Sequence, residues 1–360
     1  MTDMDDDLTL GELRTELHRE LMTFARRPSR DSETFDQLAL RVLHYQARAV
    51  PSYRRLVDAL GAELDAWRTA PLVPTELFRA IDLCSLPASP GDRVFRTSGT
   101  TGKQARGFRR VPDLSLYRTA MAAPFIEHVL AGDATPRRWI SLIPSASSMP
   151  ESSLSFMVGE LAEVLATDVH WILEKEGLNL DDARVALGEG LGKGDAPVLV
   201  LATPIALIEL LERARWFPRL PEGSRLMLTG GFQATKASIS EAELFDKLAS
   251  TFGVPQDMVI AEYGMTELTS QAYGTPFTPN PALRLRVVHP ESGVDLPPGE
   301  VGLVACFDLL NLDHVSAVLT SDLGALDEAG RLTLRGRMPG AAPRGCSLTA
   351  EEILAHTTGA

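Results

Sequence analysis

Apolar residues recur at helical spacing through the first 80 positions. Leu10, Leu13, Leu17, Leu21 and Phe24 fall on one helical face, and so do Phe35, Leu38, Val42 and Tyr45. Two proline-bounded pieces follow, around Pro51 and around 71–74. From Val94 onward short apolar runs alternate with amphipathic segments. The runs 139–143, 169–173, 198–202, 226–229 and 258–262 read as strands. Between them, 114–130, 154–165, 180–187, 205–214 and 239–252 read as helices. This alternation predicts an α/β fold with a largely parallel sheet flanked by helices. Past Gly274 the helical spacing stops. There, 283–289, 301–307, 315–319 and 332–334 read as strands joined by Gly, Pro and Asp turns, so a β-rich region closes the main domain. Thr349 and Glu352 have capping-box spacing ahead of a last helix at 350–356. The expected division is a helical leader over 1–90 packed on the main domain, a core over 91–335 and a short C-terminal segment over 336–360.

Composition narrows the classes. With 360 residues, 44% of them hydrophobic, the chain can bury a sizeable core without staples. A net charge of −13 argues against a general nucleic-acid partner and gives no reason to expect an anionic membrane surface. The longest apolar stretch, 197–208, is far short of a membrane span and contains Pro204. Cys84, Cys306 and Cys346 are too few and too scattered for a disulfide framework, and the acidic N-terminus is not a signal peptide, so a reducing cytoplasm is expected. The positive charge is unevenly spread. From Arg96 to Arg118 six basic residues stand against Asp113 alone, and from Arg331 to Ala350 four arginines stand without an acid. If these two islands meet around one cleft, they would favour a polyanionic ligand.

Four segments carry candidate chemistry. Thr97, Ser98, Gly99, Thr100, Thr101, Gly102 and Lys103 place hydroxyls between glycines, where backbone N–H groups can approach phosphate oxygens. The spacing is not that of a Walker A loop. Gly230, Gly231 and Phe232 follow a strand with a double glycine against which a flat ligand can lie. Tyr263, Gly264, Met265, Thr266 and Glu267 follow another strand, with a ring for stacking, a hydroxyl for a phosphate and a hard oxygen for Mg²⁺. Asp322 is expected at a strand end, either as a turn former or as an acceptor for two ribose hydroxyls. The alternate glycines at 188–194 fit no dinucleotide fingerprint, and the dispersed histidines show no metal-ligand spacing.

As a set, in order and spacing over roughly 90–340, these segments resemble the adenylate-forming (acyl/aryl-CoA synthetase and luciferase) superfamily. The resemblance implies the superfamily's N-terminal domain with a truncated C-terminal subdomain. It implies Thr97–Lys103 as the phosphate loop, Gly230–Phe232 beside adenine, Tyr263–Glu267 as the aromatic-Gly-x-Thr-Glu motif, Asp322 on the ribose and Arg337 at the hinge. ATP and Mg²⁺, the metal on Glu267, are the implied cofactors. Within the superfamily the helical leader, the segment 145–157 and the tail through Arg344, Gly345 and Cys346 resemble the acyl-protein synthetase (LuxE-type) family. That closer resemblance implies a fatty acid as substrate, Cys346 as a thioester carrier and an acyl-acceptor protein as partner. A carrier protein or CoA as acceptor, without Cys346, is the alternative enzyme, and a nucleotide-binding regulatory protein that has lost catalysis is the alternative outside it. Superfamily members typically carry a catalytic lysine in a C-terminal domain. No lysine follows Lys247 here, so the compensating charge is expected from Lys103 or a neighbouring arginine.

Overall fold

The computed structural model describes residues 8–28, 31–97, 106–189, 191, 195–214, 219–229 and 241–339. Within them the chain folds as a mixed α/β protein built on two sheets. Three helices open it: α1 (Leu10–Arg26), α2 (Ser32–Ala49) and α3 (Pro51–Leu60). Each start has a local cause. Thr9 and Glu12 form a capping box on α1, Asp31 caps α2 through its carboxylate, and Pro51 begins α3 where no N–H is needed. A two-residue strand, β1 (Val73–Pro74), leads to the hairpin β2 (Arg93–Arg96) and β3 (Phe108–Val111).

The α/β part follows as α4 (Ser115–Pro124), β4 (Arg137–Leu142), α5 (Ser153–Leu165) and β5 (Ala166–Trp171). The small ladder β6 (Leu173–Glu174) and β7 (Gly177–Leu178) precedes α6 (Leu180–Arg184). Then come β8 (Leu199–Ala202), α7 (Pro204–Arg213), β9 (Arg225–Thr229), α8 (Glu241–Phe252) and β10 (Val259–Tyr263). After β11 (Ala272–Tyr273) and β12 (Thr278–Pro279) the chain turns to antiparallel pairing, in β13 (Leu283–Val288), β14 (Gly302–Asp308), β15 (Ala317–Leu326) and β16 (Leu332–Arg337).

The seven-stranded sheet has the order β12-β11-β10-β9-β8-β4-β5, and its pairs from β10 to β5 are parallel. Alternate side chains therefore enter two cores. Val200, Leu226 and Leu228 pack with residues of α7 and α8 on one face, while Leu201, Met227 and Trp139 pack with α4 and α5 on the other. The second sheet has the order β1-β15-β14-β13 with β16 on β15, and its inner face shares a third core with α1, α2 and α3. Among the described residues no helix is long and apolar enough to cross a membrane.

Two elements differ from the sequence pattern. The run 114–130 is not one helix: α4 stops at Pro124 and a π turn continues over Phe125–Val129. Proline lacks the N–H that would continue the α ladder, and the widened turn absorbs the defect. The strand expected at 315–319 extends as far as Leu326, so Asp322 lies inside β15 and not at a strand end. The helix expected at 350–356 lies outside the described residues.

Candidate functional site

Parallel strands present their C-terminal ends to one edge of a sheet, where open α/β folds bind ligands. Here β9 ends at Thr229 and β10 at Tyr263, side by side, with Thr229 opposite Glu262 in the register. Successive side chains on β10 point to opposite faces. Tyr263 therefore turns into the core shared with the second sheet, 5.7 Å from the ring of Phe277, while Glu262 turns the other way. The Tyr263 hydroxyl donates to Asp322 Oδ2 at 3.0 Å, and Arg337 Nε lies 3.0 Å from Asp322 Oδ1. Asp322 and Arg337 are register partners across β15 and β16, next to a bulge at Leu323 and Gly324. Three residues singled out in separate segments thus meet. Burial, reinforced by the neighbouring Asp322 charge, holds the Tyr263 phenol well above its ordinary pKa, so it remains a donor.

The chain after β10 forms the loop of Gly264, Thr266 and Glu267. Gly264 lies against Glu262: a Cβ there would come to 2.4 Å from Glu262 Oε1, so the carboxylate would have to shift. The Thr266 hydroxyl donates to the Arg96 carbonyl at 3.4 Å, bringing this loop to the end of β2. Glu267 is 2% exposed. The hairpin closes between Thr97 and Gly107, with Thr97 N–H to Gly107 O at 2.8 Å and Gly107 N–H to Thr97 Oγ1 at 2.9 Å. Thr97 is therefore placed at the base of the hairpin. Ser98, Gly99, Thr100, Thr101, Gly102 and Lys103 lie outside the described residues, as do Gly230, Gly231, Phe232 and Cys346.

Several groups at this edge carry no sequence signature. Glu262 is buried and accepts a hydrogen bond from the Thr229 hydroxyl, and burial pushes its carboxyl up to about 7. Behind the Thr266 loop, Asp308 accepts from Thr269 N–H and Ser270 N–H at 2.7 Å each, from Ser270 Oγ at 2.9 Å and from Leu310 N–H at 3.0 Å. Asn311 donates from Nδ2 to the Glu267 carbonyl at 2.9 Å and to the Val315 carbonyl at 3.1 Å. Arg109 reaches the same place from β3. A reader of the sequence could have noted the Asp308-x-x-Asn311 spacing, but nothing in it announces the partners.

The other two cysteines are structural. Cys84 and Cys306 are buried, and burial pushes the Cys84 thiol up to about 11 and that of Cys306 higher still. Ser152 caps α5 through Ser155 N–H, and the Ser145 hydroxyl shares a 2.9 Å hydrogen bond with Ser147. Among the described residues no group of three or more His, Cys, Asp or Glu side chains could hold a metal ion. A single buried carboxylate such as Glu267 still fits Mg²⁺, which is commonly held by one or two carboxylates together with substrate phosphates.

No protein-family model matches the chain, and no curated protein matches it. Solved structures are matched over part of its length. ATP-bound MatB from Rhodopseudomonas palustris is 16% identical over 68% of this chain and 47% of its own, with a TM-score of 0.46. O-succinylbenzoate coenzyme A synthetase (MenE) from Bacillus subtilis, in complex with ATP and magnesium ion, is 19% identical over 68% of this chain and 49% of its own, with a TM-score of 0.45. The same synthetase in complex with the acyl-adenylate intermediate OSB-AMP is 19% identical over 68% of this chain and 62% of its own, with a TM-score of 0.46. The chain spans about half the length of the MatB and ATP-bound MenE chains it matches.

Proposed function

We propose that the chain uses ATP to activate a carboxylic acid, a fatty acid on its closer resemblance, and passes the acyl group to a thiol. The observation that carries this reading is the convergence of Tyr263, Asp322 and Arg337 beside Thr266 and the end of β2. These residues come from four separate stretches of sequence, and the resemblance to the adenylate-forming motifs implies that Thr97, Tyr263, Thr266 and Asp322 serve one nucleotide, with Arg337 at the hinge.

In this reading Tyr263, Gly264, Gly230, Gly231 and Phe232 flank adenine. The Asp322 carboxylate, held by the Tyr263 hydroxyl and facing the Arg337 guanidinium, would accept from the ribose hydroxyls. Thr97 to Lys103 cradle the phosphates, and the Thr266 hydroxyl meets the α-phosphate. Mg²⁺ on Glu267 would neutralise charge developing on the phosphates. The acid's carboxylate attacks the α-phosphorus, the bond to the bridging oxygen breaks and pyrophosphate leaves. The Cys346 thiolate then attacks the acyl carbonyl, AMP leaves, and the thioester is handed to an acyl-acceptor protein. Each phosphate donor removed should cost ~3 kcal/mol of transition-state stabilisation, roughly 10²–10³ in rate.

Trapping with hydroxylamine tests the reading. Incubation with ATP, Mg²⁺ and acid should yield AMP and an acyl hydroxamate, and intact-mass measurement should find an acyl adduct that Cys346→Ser abolishes. An adduct that persists in Cys346→Ser would remove the thiol from the scheme, and no hydroxamate from any acid would remove the activation step.

A further inference from the structure

The described arginines of the stretch 96–118, Arg109 apart, are paired with acids in the fold. Arg96 and Arg106 pair with Glu151, Arg110 with Asp92 and Asp82, and Arg118 with Glu160. Arg109 is built differently. Its side chain is 3% exposed and each of its hydrogen-bond partners is neutral: the Thr266 carbonyl at 3.4 Å, Thr269 Oγ1 at 2.5 Å and Asn311 Oδ1 at 2.9 Å. Its Nε is buried without a hydrogen bond. Burial lowers the pKa of this guanidinium, and Asp308 and Glu267 offset that effect by their charge rather than by contact. The same charge helps to hold the buried His314, pushed down to about 3 chiefly by its own burial, in the neutral state.

A buried cation is costly unless something compensates it. The position of Arg109 suggests what does. It stands two residues beyond Gly107, whose bonds with Thr97 close the β2–β3 hairpin, and on the strand position paired with Phe95. From there its fork reaches two other loops at once, the one bearing Thr266 and Glu267 and the turn bearing Asn311. Asn311 relays the hold to the Glu267 carbonyl, and Asp308 fixes two N–H groups farther along, those of Thr269 and Ser270. A planar group with five donors can bridge such a set, whereas a lysine offers a point charge.

We infer that Arg109 is the positioning residue of the phosphate end of the site: it locks the Thr266–Glu267 loop to the hairpin and supplies fixed positive charge for a bound polyphosphate. The inference rests on the nucleotide reading given above.

The test compares Arg109→Met, Arg109→Lys and Arg109→Ala with the wild-type chain. MgATP affinity is read by calorimetry, and KM and kcat by acid-dependent ATP–pyrophosphate exchange, all below each variant's Tm. Arg109→Met should bind MgATP about tenfold more weakly or worse, and Arg109→Lys should fall between it and wild type. Guanidinium, but not urea at the same non-denaturing concentration, should restore part of the exchange and MgATP affinity of Arg109→Ala, a response that loss of packing alone would not give. Wild-type affinity and kcat in folded Arg109→Met, or equal effects of guanidinium and urea on Arg109→Ala, would overturn the inference. If the wild-type chain binds MgATP yet exchanges with no acid, the activation reading fails while the affinities still decide the role of Arg109. If it does not bind MgATP at all, both are overturned.

Discussion

Replacing Glu262 by Gln should make the protein more stable at neutral and alkaline pH, with a sign and size that follow from its surroundings. Glu262 is 6% exposed, sits on the sheet face shared with Trp139 and Met227, and has the Thr229 hydroxyl as its hydrogen-bond donor. Burial raises its carboxyl from an ordinary value of 4.5 to about 7. The native state therefore keeps a proton that the unfolded chain releases, and between about pH 4.5 and 7 it binds more protons than the unfolded state. Stability falls as pH rises through that window and levels off above it. At about 1.4 kcal/mol per pH unit the whole interval amounts to roughly 3 kcal/mol. Gln has the same shape, can still accept from Thr229 and does not ionise. Urea denaturation of both proteins across the window isolates the effect, because other titrating groups cancel in the difference. Glu262→Gln should exceed wild type by roughly 3 kcal/mol at about pH 8, on the order of 5 °C in Tm, and match it only below about pH 4. Parallel pH profiles for the two proteins would refute the assignment of a buried neutral acid at this position.

Other substitutions probe the edge where the strands end. Asp308→Ala leaves the Thr269, Ser270 and Leu310 N–H groups without their acceptor and should cost about 3–5 kcal/mol in urea denaturation. Gly264→Ala brings a Cβ to 2.4 Å from Glu262 Oε1 and 3.3 Å from Gln271 Cγ, and should cost about 1–3 kcal/mol, read as a lower Tm. Tyr263→Phe removes one charge-assisted hydrogen bond to Asp322, about 1.5–3 kcal/mol, and should raise the KM for MgATP more than it lowers kcat.

The α/β core was legible because buried parallel strands are nearly continuous apolar runs. The expected 198–202 and 226–229 lie within a residue of Leu199–Ala202 and Arg225–Thr229. Asp322 was misplaced because Thr320, Ser321 and Asp322 look like a turn. In the fold Asp322 pairs with Arg337 of β16 where the β14 ladder passes over a bulge from Leu319 to Leu323, the Thr320 hydroxyl donates to the Val304 carbonyl, and the Asp322 N–H donates to Thr320 Oγ1. Charge was the least readable feature. The stretch 96–118 counts as strongly basic along the chain, but Asp82, Asp92, Glu151 and Glu160 neutralise four of its arginines from outside it. The bonds of Arg109 span 157 to 202 residues, a distance over which no local pattern carries information.

The central claim is that the Tyr263–Asp322 edge forms an acyl-adenylate, and acid-dependent exchange of labelled pyrophosphate into ATP tests it most directly. With a panel of aliphatic and aromatic carboxylic acids, the wild-type chain should exchange with at least one, and Asp322→Ala and Glu267→Gln should lose roughly 10²–10³ of that rate. Exchange that no acid supports, or that survives unchanged in both variants, would contradict the account.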